Sequence, residues 1–214
     1  DMLPSPFTSR VGSIVDRDFV RQSMQGVNVV LHAATLHKPH VLTHSFQDFI
    51  DTNISGTNNL LEEAVKAGVE SFIFTSTTST FGDAMKPLPG GPATWITEEV
   101  TPIPKNIYGV TKIAAENLCK LFHQRYKMPC LILRTSRFFL EADDQENTRT
   151  QFADLNAKAN EFLYRRVDLA DIVDAHLLAM TKAKELGFGR YIISATTPFS
   201  PADLTRLQKN AQDV

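Results

Sequence analysis

The sequence has no apolar run approaching the ~20 residues that cross a bilayer. It has no basic stripe: 22 Lys and Arg stand against 24 Asp and Glu, for a net charge of −2. Neither nucleic acid nor an anionic membrane is therefore favoured as a partner. Cysteine is scarce, with Cys119 in a helical segment and Cys130 in a strand-like one. That pair offers no disulfide framework and no zinc site, and reads as two buried free thiols. Internal repeats and low-complexity tracts are absent. What is present is a 214-residue chain with 43% hydrophobic residues, enough for the core of one domain.

Strand signals alternate with helix signals, which predicts an α/β domain with a mostly parallel sheet. Residues 10–14 read as a short extended stretch. Asp16 is placed to cap a helix ending near Gly26. Residues 27–32 form a buried strand, and residues 46–67 one long helix stopped by Gly68. A second strand spans 71–75. A loop rich in Pro and Gly follows (Pro87, Pro89, Gly90, Gly91, Pro92), of a length that usually marks function or mobility. Residues 107–126 are helical and 130–134 a strand. Residues 141–146 read as an acidic, solvated loop. Asp168 caps a helix to about 186, 190–194 is a strand, and Ser200-Pro201 opens a last helix.

The most informative pattern is Tyr108-Gly-Val-Thr-Lys112. Positions i and i+4 share one helix face. An ammonium beside a phenol favours the phenolate, giving a tyrosine able to exchange a proton with a carbinol oxygen near neutral pH. Upstream, a strand ends in Thr75-Ser76-Thr77, and a hydroxyl there can hold the same oxygen. This is the proton-handling half of a hydride-transfer site. His32, His37, His40 and His44 raise the question of a metal. No carboxylate or cysteine joins them at ligand spacing, and none is expected.

These residues resemble the extended short-chain dehydrogenase/reductases, in particular the NAD-dependent epimerase/dehydratase group, over most of residues 10–195. Gly12-Ser13-Ile14-Val15-Asp16 is similar to the segment lining the adenine pocket, with Ser13 where the family carries Asp. Leu31-His32-Ala33-Ala34-Thr35 resembles the segment under the nicotinamide ribose, where small residues let backbone approach the cofactor. Asn53-Ile-Ser-Gly56-Thr57-Asn-Asn-Leu60-Leu61 resembles Asn-x-x-Gly-Thr-x-x-Leu-Leu. Gly56 costs helix stability relative to Ala, which fits close packing of two backbones. Phe72 to Gly82 resembles the strand with the catalytic Ser or Thr; counting back from Phe81-Gly82 puts that role on Thr77 rather than Ser76. Tyr164-Arg165-Arg166-Val167-Asp168 to His176 resembles a later segment capping a helix near the substrate lobe. Thr135-Ser136-Arg137-Phe138-Phe139 departs from the family turn. The stretch from there to Tyr164 is short, so the substrate lobe, about 137–165 and 195–214, is expected to be reduced.

The resemblance implies a doubly wound, Rossmann-like parallel sheet and an NAD- or NADP-dependent cytoplasmic enzyme acting on a carbinol or keto carbon, as in a sugar or nucleotide sugar. Thr77, Tyr108 and Lys112 are the implied catalytic residues. Ser13, Ile14, Ala33, Ala34, Thr35, His37, Asn53, Thr75, Tyr108, Lys112 and Ser136 are the implied cofactor contacts. Thr78, Ser79 and Arg137 are implied against substrate, although Arg137, Arg165 and Arg166 read more readily as surface arginines. A homodimer through helices 46–67 and 107–126 is implied, with Leu118, Leu121 and Phe122 as seam candidates. Epimerase, dehydratase and reductase are not separated. The family's opening strand and Gly-x-x-Gly-x-x-Gly loop, which seats a pyrophosphate at a helix N-terminus, have no counterpart in these residues. The expectation is an upstream segment of about 40–50 residues, the size of a strand–helix–strand unit. The rival reading is a non-catalytic nucleotide-binding or scaffold protein of the same fold; an NADP-dependent carbonyl reductase is a further alternative.

Overall fold

Four parallel strands pair in the order β1-β2-β3-β4. They are β1 (Val29–His32), β2 (Ser71–Thr77), β3 (Cys130–Thr135) and β4 (Phe188–Ile193). This computed structural model describes residues 1–137, 150, 155, 159, 163 and 166–214. The acidic segment 141–146, Phe138, Phe139, Tyr164, Arg165 and most of the expected substrate lobe at 137–165 lie outside the described residues. β2 and β3 are largely buried because both faces of these inner strands are covered.

The helices are α1 (Arg17–Ser23), α2 (Phe46–Phe49), α3 (Gly56–Ala67), α4 (Ile107–Tyr126), α5 (Leu169–Leu186) and α6 (Leu204–Lys209). Asp16 caps α1 by accepting from the Asp18 and Phe19 amides. Asp168 does the same for α5 through Ala170. Gly68 ends α3 with φ 69°, a left-handed residue that suits glycine.

Phe72 and Phe74 point to one face, where α1, α3 and α4 cover them with Val20, Leu61, Ala64, Ala115 and Cys119. Ile73, Leu131 and Leu133 point to the other, against Ala179 and Ala183 of α5. Each fully buried Leu, Ile or Phe contributes about 1.5–3 kcal/mol. On β1, Val29 packs against this second cluster, whereas Leu31 is 46% exposed.

Residues 10–14 lie outside the described sheet; Gly12 donates to the Asp1 carbonyl and Ser13 starts a turn. Two expectations are corrected. The helix at 46–67 is interrupted by a π-helical turn, Ile50–Ser55. At Gly56 the close neighbour is the Ile14 side chain rather than a second backbone: a Cβ there would lie 2.6 Å from it. Both cysteines are buried and unpaired, and burial holds the Cys130 thiol up at about 12.

One carboxylate joins α4 to three strands. Glu116 is 1% exposed. Its Oε1 accepts from Ser76 Oγ of β2 at 2.7 Å and Arg134 Nε of β3 at 3.0 Å. Its Oε2 accepts from Arg134 Nη2 at 2.7 Å and Arg190 Nε of β4 at 3.1 Å. These bonds fill its lone-pair sites. The Arg134 guanidinium also lies 5.0 Å from the Phe81 ring centre.

Removing one partner of a buried ion pair leaves an uncompensated charge, at a cost of about 3–5 kcal/mol. Glu116→Ala is expected to lose that much in guanidinium unfolding. A loss under about 1 kcal/mol, the scale of a surface pair, would contradict this account of the junction.

Candidate active site

Open parallel sheets bind ligands beyond the carboxyl ends of their strands. There the last three hydroxyls of β2 go three ways. Thr75 Oγ1 lies 2.8 Å from His176 Nε2 of α5. Ser76 points to the opposite face and donates to Glu116. Thr77 closes the strand, and its Oγ1 accepts from the Ser79 amide at 3.1 Å. That bond leaves the Thr77 proton available to an oxygen acceptor, whereas the Ser76 proton is committed.

Lys112 sits on α4, one turn before Glu116, and is 2% exposed. Its Nζ donates to the Thr75 carbonyl at 2.6 Å and lies 4.1 Å from the Phe74 ring centre. Burial pulls its pKa down from 10.5 to about 7, against the opposing pull of the Glu116 carboxylate. Tyr108 lies one turn earlier still and is also buried. The Asn106 side chain caps this end of α4 by accepting from the Gly109 amide at 3.0 Å. Gly109 permits the first turn to press on the β2 turn: a Cβ there would meet Pro104 Cβ at 2.9 Å and the Ser79 carbonyl at 3.4 Å.

Asn53 holds a second arm of the site. It lies in the π-helical turn, a feature frequent at functional sites. Its Oδ1 accepts from Thr35 Oγ1 at 2.9 Å and the Leu36 amide at 2.8 Å. Its Nδ2 donates to the Leu36 carbonyl and to Thr111 Oγ1. Thr111 in turn donates to the Ile107 and Tyr108 carbonyls. The segment after β1 and the first turn of α4 are thus tied through one amide. Behind it, Thr57 Oγ1 donates to the Asn53 carbonyl at 2.7 Å and lies 2.8 Å from His32 Nε2. The network assigns the His32 proton to Nε2. Burial, then the Lys112 charge, pushes His32 down to about 3, so it is neutral at pH 7.

The structure therefore brings Thr35, Asn53, Thr75, Thr77, Thr78, Ser79, Tyr108 and Lys112 into one linked group. Thr78 Oγ1 reaches the Thr135 carbonyl at 3.5 Å. Ser136 is buried beside them, its amide on the Ile193 carbonyl. Ala33 and Ala34 are exposed beyond β1. His37 opens the helical turn Lys38–Leu42, where its ring lies 4.6 Å from that of His40. Ser13 and Ile14 stand apart from this group: the Ser13 hydroxyl accepts from the Val15 amide and Ile14 packs on Gly56. Arg137 pairs by a backbone bridge with Arg166. Among the described residues no three His, Cys, Asp or Glu side chains form a metal site.

Sequence reasoning missed Glu116, Thr111 and His176. Glu116 was within reach, since Tyr108, Lys112 and Glu116 repeat every fourth residue on one helix. His176 carried no such signal, because its partner lies across the sheet.

The family model for the NAD-dependent epimerase/dehydratase family matches residues 5–193. The chain belongs to this family. Mouse dTDP-D-glucose 4,6-dehydratase is 30% identical over 188 residues, 81% of this chain and 50% of that protein. An uncharacterized Sinorhizobium fredii protein is 36% identical over 123 residues, 58% of this chain and 28% of that protein. Among solved structures, UDP-glucuronic acid 4-epimerase from Bacillus cereus in complex with NAD is 30% identical, with a TM-score of 0.51, over 60% of this chain and 38% of that one. UDP-glucose 4-epimerase from Thermotoga maritima with UDP-glucose is 26% identical, with a TM-score of 0.62, over 80% of this chain and 58% of that one. The chain spans half or less of the length of these two curated relatives. In family terms, the linked group occupies the carboxyl ends of a Rossmann-like sheet.

Lys112 gives the site a pH signature. An unfolded lysine keeps its proton up to about 10.5, whereas the folded one releases it near 7. Between those values the unfolded state binds more protons, so raising pH stabilises the fold through this residue. Against Lys112→Met, the wild-type chain is expected to gain on the order of a few kcal/mol from pH 7 to 10. Denaturant unfolding across that range measures it. Parallel stability profiles for the two proteins would mean that Lys112 titrates as an ordinary lysine.

Proposed function

We propose that this chain forms the nicotinamide side of an NAD(P)-dependent oxidoreductase of the epimerase/dehydratase type, acting on a carbinol or keto carbon of a sugar or nucleotide sugar. The observation that carries the reading is the buried lysine at the sheet's carboxyl end, one helical turn from Tyr108 and bonded to the strand that ends in Thr77. Complexes of family relatives with NAD and with UDP-glucose support the substrate class and favour NAD.

The residues present fit a nicotinamide ribose. Ala33 and Ala34 are small and exposed, so a ribose or flat ring can lie against backbone. Lys112 and the Asn53 network offer polar groups beside them. A nicotinamide bound there supplies the hydride acceptor and donor. Tyr108 takes a proton from, or returns it to, the substrate oxygen. Thr77 donates its hydroxyl proton to that same oxygen. Lys112, near neutrality, helps the phenol ionise. No residue of the chain is assigned to the pyrophosphate, because no glycine-rich loop occurs in the sequence. The reading carries a cytoplasmic location and a small-molecule substrate.

A homodimer belongs to the same proposal. Exposed Phe46, Ile50, Val110 and Leu121 give helices 46–67 and 107–126 apolar surface. Phe122 is not part of that surface: it is 7% exposed and packs in the core, with Leu118 against it.

Two experiments test these readings. Tyr108→Phe removes the exchanging oxygen and keeps the ring, so turnover of a nucleotide sugar is expected to fall roughly 10²–10⁴-fold with little change in melting temperature. Unchanged turnover sinks the mechanism. Light scattering at micromolar concentration is expected to give twice the monomer mass; a clean monomer counts against the dimer.

A further inference from the structure

His176 stands on α5, across the sheet from α4. Two contacts fix its ring. Nδ1 lies 2.7 Å from the Ile172 carbonyl oxygen, which only accepts, so Nδ1 carries a proton. Nε2 lies 2.8 Å from Thr75 Oγ1. A neutral ring accepts the threonine hydroxyl there, and an imidazolium donates to it. In either state the Thr75 side chain is tied to α5.

The same Thr75 offers its carbonyl to Lys112 Nζ at 2.6 Å. Thr75 lies one residue past the last β1–β2 pair, His32 with Phe74. It is still paired with Leu133 on the β3 side. One flank of β2 is thus unpinned by its neighbour at the residue that receives the lysine. The β3 pairing holds that peptide from one side, and the Thr75 side chain, held from α5, adds a restraint from the opposite layer.

We propose that His176 is a positioning residue for Lys112: by holding the Thr75 side chain from the opposite layer, it fixes the carbonyl that receives the lysine. The proposal rests on the reading of Lys112 as part of the proton-handling group. A core histidine that merely satisfies its hydrogen bonds would stabilise the fold and leave Lys112 unaffected. The difference is measurable at Lys112 itself, without turnover.

The experiment follows the Lys112 Nζ and Cε resonances through a pH titration of the full chain labelled with ¹³C,¹⁵N-lysine, the signal being assigned by its loss in Lys112→Arg. A carbonyl held close favours the charged amine. Thr75→Val keeps the carbonyl and the side-chain shape but removes the hydroxyl, and His176→Ala removes the ring. Each is expected to lower the Lys112 midpoint by about half a pH unit, and the double variant by no more than either alone. His176→Gln, whose amide can reach Thr75, is expected to restore the wild-type midpoint. If His176→Ala does not fold, Thr75→Val and His176→Gln decide the matter. Wild-type midpoints in folded Thr75→Val and His176→Ala, additive shifts in the double variant, or a lowered midpoint in His176→Gln would each overturn the proposal. Turnover that survives Tyr108→Phe would remove the catalytic reading and leave the Lys112 result standing.

Discussion

The buried carboxylate of Glu116 is the constraint on which the rest of the site depends. It receives hydrogen bonds from β2, β3 and β4 at once, so α4 can neither rotate nor slide without stranding a charge. Lys112 lies four residues earlier and Tyr108 eight, on the same face. Fixing Glu116 therefore fixes the height and azimuth of both. The lysine is delivered to the Thr75 carbonyl, and the tyrosine to the carboxyl end of the sheet, by helical repeat alone.

Beside this row Lys112 and His32 are both buried. Lys112 lies beside an aromatic ring, and His32 is held neutral by burial and by the lysine charge. Desolvation disfavours the ammonium, while the Thr75 carbonyl and the Glu116 carboxylate favour it. The balance places the group near neutral pH. The π-helical turn serves the same end from the other side. It sets Asn53 between Leu36 and Thr111, and so links the loop after β1 to the backbone of Tyr108.

Much of this was legible in the chain. The alternation of apolar strands and capped helices determines an α/β fold, because side-chain periodicity and capping are local chemistry. Asp16, Gly68 and Asp168 mark helix ends in sequence and in structure alike. The motifs, Tyr108 with Lys112 foremost, pointed to the family whose model matches the chain. Tertiary structure decided the rest. Which of Ser76 and Thr77 keeps a usable proton depends on Glu116 lying over one face of β2. That Phe122 belongs to the core follows from the rotation of α4. The bond from His176 to Thr75 spans 101 residues of chain and arises only once α5 has packed on the sheet. Local residue chemistry set the elements and their motifs; long-range register and helix rotation set which polar atoms meet.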